Sequence, residues 1–231
     1  MAACVEIASS LGDLDTLVRA SSAKPYFVNV LREEHVRAYP ALMDFALGDE
    51  ILSAVVPYYG AMPRLCSIGL YYSAVSGGDA PLQGSQNFHL DTRDPRHLKC
   101  FVNLVSVEPE DGAFTFLPAD RTEELRRRLG GLWRAQGSED PTALGAYERA
   151  HAIALTGPPG SAGFVDTARC LHYGSRCRRS PRLVFMFHYA TFGDYFALSN
   201  NPWRDLRLSD YPALRAQFAS SSIRRELLSL H

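Results

Sequence analysis

The sequence predicts a single, mainly β domain with flanking helices, and three observations predict it. From Leu65 into the C-terminal third, the chain breaks into short apolar or alternating runs rich in Val, Phe, Tyr and Ile, separated by clusters of Gly, Pro, Asp and Asn. On either side of that stretch, apolar residues recur at helical spacing instead. With 231 residues, 46% hydrophobic and 21% charged, the chain is long enough for one well-buried core and has an ordinary globular composition.

The elements follow in order. Residues 32–56 carry Val36, Leu42, Met43, Ala46, Leu52 and Val55 at helical intervals, which predicts one or two packing helices. Strands are predicted at 66–73, 85–90, 98–107, 113–117, 152–155, 162–166 and 182–189, so the β core spans about 65–190. Residues 121–150 read as a helical insertion, with Leu125, Leu129, Leu132 and Trp133 on one face and Arg126, Arg127 and Arg128 on another. Residues 200–231 return to a polar, mainly helical pattern that packs outside the sheets. Seven or so short strands in one domain of 1–231 predict a sandwich or barrel, and a jelly roll is compatible with the flanking helices.

The net charge of −1 gives no global field for nucleic acid or an anionic membrane. No run of about 18 uninterrupted apolar residues occurs, residues 1–12 lack a signal-peptide pattern, and the five cysteines form no CxxC pair. These features predict a cytoplasmic protein in a reducing compartment, with neither membrane nor nucleic acid as a partner.

The chemistry is carried by a few residues. In Gln86-Asn87-Phe88-His89-Leu90-Asp91, the imidazole of His89 and the carboxylate of Asp91 stand two positions apart, on one face of an extended segment. Two histidines and one carboxylate leave open positions on iron(II) for a cosubstrate and dioxygen. His172, at the end of a predicted strand beside Gly174, is the candidate third ligand. Arg182 follows ten residues later, where a returning strand brings its guanidinium to the pocket. A planar fork of donors pairs bidentately with a carboxylate, which suits the distal carboxylate of 2-oxoglutarate.

These segments resemble the phytanoyl-CoA dioxygenase family of Fe(II)/2-oxoglutarate oxygenases over about residues 70–189. The resemblance rests on Ser85 to Asp91, Leu98 to Leu104, Asp111 to Pro118, and Asp166-Thr167 through His172 to Arg182. It implies a double-stranded β-helix, the cupin-like jelly roll, with iron on His89, Asp91 and His172 and 2-oxoglutarate on Arg182. It also implies that Gln86 and the strand from Lys99, Asn103 included, face the cosubstrate or substrate. The implied activity is a dioxygenase using Fe(II), 2-oxoglutarate and O2 on a small molecule, with hydroxylation, desaturation and ring formation all open. Asp91 separates the chain from related halogenases, which carry a small residue there. Two departures stand out: Ala119-Asp120-Arg121 replaces a Gly-Ser-His common after the Leu-Pro segment, and Gly174 occupies a position that often bears a hydroxyl, with Ser175 beside it. The second reading is a non-catalytic jelly-roll protein that keeps the metal to bind a ligand.

Other residues carry blander expectations. His97 sits in a charged segment, and His188 lies within an apolar strand, sharing parity with Arg182, Val184 and Met186; neither is expected to bind metal, and His188 is a candidate substrate contact only. The runs Arg126 to Arg128 and Arg176, Arg178 and Arg179 are expected to be solvated, although the second admits an anionic substrate near the pocket mouth. Gly157-Pro158-Pro159-Gly160 lacks the Gly-Lys-Ser/Thr ending of a nucleotide loop and reads as a turn.

Overall fold

Alternation along three long strands sets the architecture. In the computed structural model, β2 (Arg64–Ser73), β3 (His97–Asn103) and β8 (Arg182–Ala190) lie side by side, with β8 in the middle. Leu183, Phe185, Phe187 and Tyr189 of β8, with Leu98, Cys100 and Val102 of β3, point toward one core. Val184 and Met186, with Phe101 of β3, point to a second, smaller cluster on the other face. The central strands are therefore apolar on both faces, as strands covered on both sides must be.

Residues 1–20, 24–76, 81–91, 94–130, 141–191 and 206–228 are described. The larger sheet has six strands in the order β1-β2-β8-β3-β6, where β1 is Phe27–Asn29 and β6 is Ala162–Asp166; β9 (Leu206–Arg207) also pairs with β2. Its pairings are antiparallel. A second sheet runs β5-β4-β7, from Ile153–Ala154, Thr115–Phe116 and His172–Tyr173. A cavity lined by residues of both sheets, among them Lys99, Arg182 and His172, lies between them.

Helices cover the outer face of the large sheet. They are α1 (Ala2–Ser10), α2 (Leu14–Arg19), α3 (Glu33–Ala38), α4 (Ala41–Ala46) and α5 (Asp49–Tyr59), joined near the C-terminus by α8 (Pro212–Phe218) and α9 (Ser222–Leu227). Ile7, Met43, Val55, Leu214 and Leu227 are fully buried in this layer. Against the small sheet, α6 (Ala119–Leu129) and α7 (Pro141–His151) enclose Phe88, Leu117, Leu125, Tyr147 and Leu171.

Several expectations need correction. The segment 32–56 forms three short helices rather than one or two, because Pro40 disfavours helical geometry at Tyr39, which takes φ −124° and ψ 72°, and Gly48 separates α4 from α5. The strand expected at 85–90 is instead a 3-10 turn at Gly84–Gln86 followed by a single bridge at His89. The expected helical C-terminus opens with β9. Leu132 and Trp133 lie outside the described residues, as do 200–205. The Arg126 to Arg128 run is solvent-exposed as expected, with Arg126 and Arg128 paired to Glu123 and Glu124. Gly157 to Ser161 form the expected turn, closed by Ser161 N–H donating to the Pro158 carbonyl at 3.0 Å.

Candidate metal centre

His89 and His172 are brought together by backbone pairing. Each donates its N–H to the other's carbonyl, at 2.9 and 3.0 Å, so the segment carrying His89 continues the small sheet beyond β7. Two residues on, Asp91 N–H donates to the Thr167 carbonyl at 2.9 Å. The alternation of an extended chain then sends His89 and Asp91 the same way. Ligand atoms from His89, Asp91 and His172 all lie within 4.8 Å of one another, and His172 Nε2 is 3.9 Å from Asp91 Oδ2.

The donor set fits a metal ion in protonation as well as position. His89 Nδ1 is 2.9 Å from the Asn87 carbonyl, and His172 Nδ1 is 2.8 Å from the Cys170 carbonyl. A carbonyl only accepts, so each Nδ1 bears the proton and each Nε2 keeps its lone pair. Such a bond is the usual means of fixing the tautomer of a metal-binding histidine. Burial pushes His172 down to about 3 and lowers His89, so both imidazoles are neutral at neutral pH. Burial would raise the Asp91 carboxyl, but the Lys99 ammonium, 2.8 Å from Oδ2, with the His172 and His97 imidazoles beside it, together outweigh burial and hold the group well below the usual carboxylate range.

The three ligands stand at one part of a cavity of about 160 Å³ whose lining also includes Arg182. Arg182 is buried, burial lowers its pKa, and its Nε has no hydrogen-bond partner. Its described contact is Nη2 donating to Ser175 Oγ at 3.4 Å, and among the described residues no carboxylate pairs with it. Ser175 is the single described non-glycine residue with positive φ, +62°. Its hydroxyl accepts from Ser73 at 2.9 Å and so reaches the guanidinium that Gly174 cannot. A Cβ on Gly174 would stand 3.4 Å from Arg182 Nη2.

Other expected residues stand elsewhere. The Gln86 side chain receives Gln83 N–H and donates to the Ser175 carbonyl at 2.9 Å, bracing the loop behind the cavity rather than lining it. Asn103 shares parity with Lys99 and Phe101, which do line the cavity, but at the strand end its amide donates to the Leu155 carbonyl at 3.2 Å. His188 and His97 meet edge to face with ring centres 4.3 Å apart, and His188 Nδ1 lies 2.6 Å from Ser67 Oγ. His97 Nδ1 comes within 3.6 Å of Asp91 Oδ2. Arg176 lies over the Tyr173 ring at 3.4 Å, and Arg179 grips Asp111 with two bonds of 3.1 and 2.7 Å, so those two arginines are structural.

Sequence reasoning did not single out Lys24 or Phe27, which complete the cavity wall beside Tyr71. Phe27 stacks on Tyr71 at 4.8 Å, and a Cβ on Gly69 would fall 2.4 Å from the Tyr71 ring. Tyr71 therefore folds back over a residue that has no side chain.

EctD from S. alaskensis, solved with bound iron, superposes with a TM-score of 0.50 at 15% identity, covering 88% of this chain and 77% of that one. The fold is a double-stranded β-helix. The structure is also similar to HygX from Streptomyces hygroscopicus with iron bound (TM-score 0.45, 16% identity, 90% of each chain). A further similar structure is the epimerase SnoN, solved with Fe3+, alpha ketoglutarate and nogalamycin RO (0.48, 17%, covering 87% and 85%). No protein-family model matches the chain, and no curated protein matches it in sequence. All five cysteines are free, and among the described residues no helix is long and apolar enough to cross a membrane.

Proposed function

We propose that this chain is an Fe(II)- and 2-oxoglutarate-dependent dioxygenase of a small molecule, with iron held by His89, Asp91 and His172. The observation that carries the reading is the pairing of two unlike features in one cavity: a neutral two-histidine, one-carboxylate cluster, and a buried arginine that has no carboxylate partner among the described residues. The metal cluster alone fits many ions. A buried guanidinium lacking a partner is costly, and a ligand bearing a carboxylate satisfies it. 2-oxoglutarate has the required form, with a keto acid to chelate the metal at one end and a carboxylate at the other.

Bound iron supplies oxidation of the substrate by dioxygen, coupled to conversion of 2-oxoglutarate to succinate and carbon dioxide. The chain's own groups orient and exclude. The Asn87 and Cys170 carbonyls keep both imidazoles aimed inward. Lys99 keeps Asp91 ionised, and Arg182, backed by Ser175, fixes the depth of the cosubstrate. Phe27, Phe101, Phe114 and Met186 form apolar walls that limit water at the reacting centre. The likeness of fold to iron-bound EctD supports the reading, as do the motifs that resemble the phytanoyl-CoA dioxygenase family. Five free cysteines suit a reducing, cytoplasmic location.

The test is succinate formation by protein purified without oxygen and then given iron(II), ascorbate, 2-oxoglutarate and O2, alongside His89→Ala. Iron-dependent turnover that the substitution abolishes is expected. Absence of succinate, together with no calorimetric binding of 2-oxoglutarate, overturns the reading in favour of a ligand-binding jelly roll.

A further inference from the structure

Resting on the metal centre of the dioxygenase reading, we propose that Lys99 and the metal ion compete for a single oxygen of Asp91, so that this lysine limits how tightly the chain holds iron.

Three groups converge on that oxygen. Asp91 Oδ2 lies 3.9 Å from His172 Nε2, the lone-pair nitrogen of a candidate ligand, and 2.8 Å from the Lys99 ammonium. His97 Nδ1 stands 3.6 Å away. The carboxylate oxygen that faces a ligand nitrogen is therefore one that an ammonium already holds. Lys99 also lines the same cavity as His89, Asp91 and His172.

Charge makes the sharing unfavourable. A metal–oxygen bond of about 2.0–2.2 Å, added to the 2.8 Å of the ion pair, sets an upper bound of about 5 Å between a bound ion and the ammonium. Like charges at that distance repel strongly where water is scarce, and the side chains of Lys99 and Asp91 are only 15% and 22% exposed. A neutral side chain at position 99 removes the repulsion and leaves the attraction between Asp91 and the ion in place. The opposing effect, loss of whatever Lys99 does to orient the carboxylate, is the smaller one. The Asp91 backbone is fixed independently, by its N–H donating to the Thr167 carbonyl at 2.9 Å.

The backbone also decides which partner yields. Lys99 lies in β3, opposite His188 of β8 on one side and Val165 of β6 on the other, so its main chain is held in two ladders. Its ammonium rides on a flexible four-carbon stem. An ion that takes Oδ2 therefore turns the ammonium aside without moving the strand. The same pair gives the lysine its use. A largely buried carboxylate left without a cation is costly, and Lys99 relieves that cost in the metal-free chain. The chain gives up affinity for the ion and gains stability before the ion arrives.

The test is calorimetric titration of nickel(II) into metal-free protein. Lys99→Met is expected to bind nickel at least about tenfold more tightly than the parent, and Lys99→Arg, which keeps the charge, to stay within about threefold of it. Lys99→Gln should tighten binding as Lys99→Met does, and it decides the matter if the methionine variant fails to fold. A lysine that only orients Asp91 predicts the opposite sign. Nickel affinity unchanged or weaker in the folded neutral variant overturns the competition, as does tightening in Lys99→Arg equal to that in Lys99→Met. A parent that binds no nickel, or that keeps its affinity in His89→Ala, overturns the metal centre as well.

Discussion

Replacing Arg182 with methionine should make the free protein more stable and the cosubstrate bind far more weakly. The guanidinium is buried, its Nε has no partner, its described bond to Ser175 is 3.4 Å long, and no described carboxylate pairs with it. An unpaired buried charge costs several kcal/mol, and apolar replacement of buried ionic groups returns roughly 1–4 kcal/mol. In a protein of this size that is a rise in Tm of about 2–8 °C. The 2-oxoglutarate complex should lose the roughly 2–5 kcal/mol of a truncated buried charge pair, about 30- to 4,000-fold in Kd. The assay is thermal unfolding of nickel-loaded protein with and without 2-oxoglutarate, with calorimetry for Kd. A ligand at about a hundred times its Kd adds about 2.7 kcal/mol to the parent, and the same concentration should add at most about 0.9 kcal/mol to Arg182→Met. A lower Tm for the variant without 2-oxoglutarate, or an affinity within about tenfold of the parent, refutes the reasoning, because either result means that Arg182 is satisfied within the fold.

Gly69→Ala should destabilise by about 1–3 kcal/mol, since its Cβ would fall 2.4 Å from a Tyr71 ring that Phe27 stacks upon at 4.8 Å. Urea midpoints in a Tyr71→Leu background should show most of that penalty gone, and full additivity would count against the close approach. Stability of the metal-free protein should fall on acidification. The folded pKa of His172 is depressed to about 3 and that of His89 is also lowered, so the unfolded chain takes up protons first as pH drops below about 6.5. Each such group costs about 1.4 kcal/mol per pH unit down to its folded pKa, and Asp91, also depressed, adds a loss in the same direction below about pH 4. Urea titrations at several pH values read the slope, and a flat profile between about pH 6.5 and 4 would show that these imidazoles are not buried neutral.

The grouping of the candidate metal ligands was legible because its signals are local. A two-residue spacing in extended chain decides that His89 and Asp91 share a face, even though the segment makes only isolated pairings and not a full strand. Parity likewise placed Arg182, Val184 and Met186 on one face of β8. Parity says nothing of position along the cavity, so Asn103 faces inward and still spends its amide on Leu155. The residues that read poorly depend on chain segments far apart in sequence. Tyr71 reaches the cavity wall because Gly69 leaves room, and Lys24 because β1 pairs with β2. Lys99 did carry a signal, since an ammonium at an inward position of an otherwise apolar strand needs a buried anion to justify it. Ser175 was legible as the hydroxyl beside Gly174, but its left-handed backbone, at φ +62°, was not.

The two sheets also divide the work of binding. Arg182 opens β8, which pairs with β2 from Arg182 onward and with β3 from Val184 onward, so the proposed anchor for the distal carboxylate stands on the most extensively paired strand. His172 lies on the two-residue strand β7, and His89 is joined to it by a single bridge. Metal–ligand bonds of about 2 Å put neighbouring donors about 3 Å apart, so the 3.9 Å between His172 Nε2 and Asp91 Oδ2 must shorten around an ion. A short strand and an isolated bridge can move by that amount at little cost, whereas β8 cannot move without breaking two ladders. Metal loading should therefore tighten the small sheet against a large sheet whose register is already fixed, bringing the ligands to an arginine that does not shift.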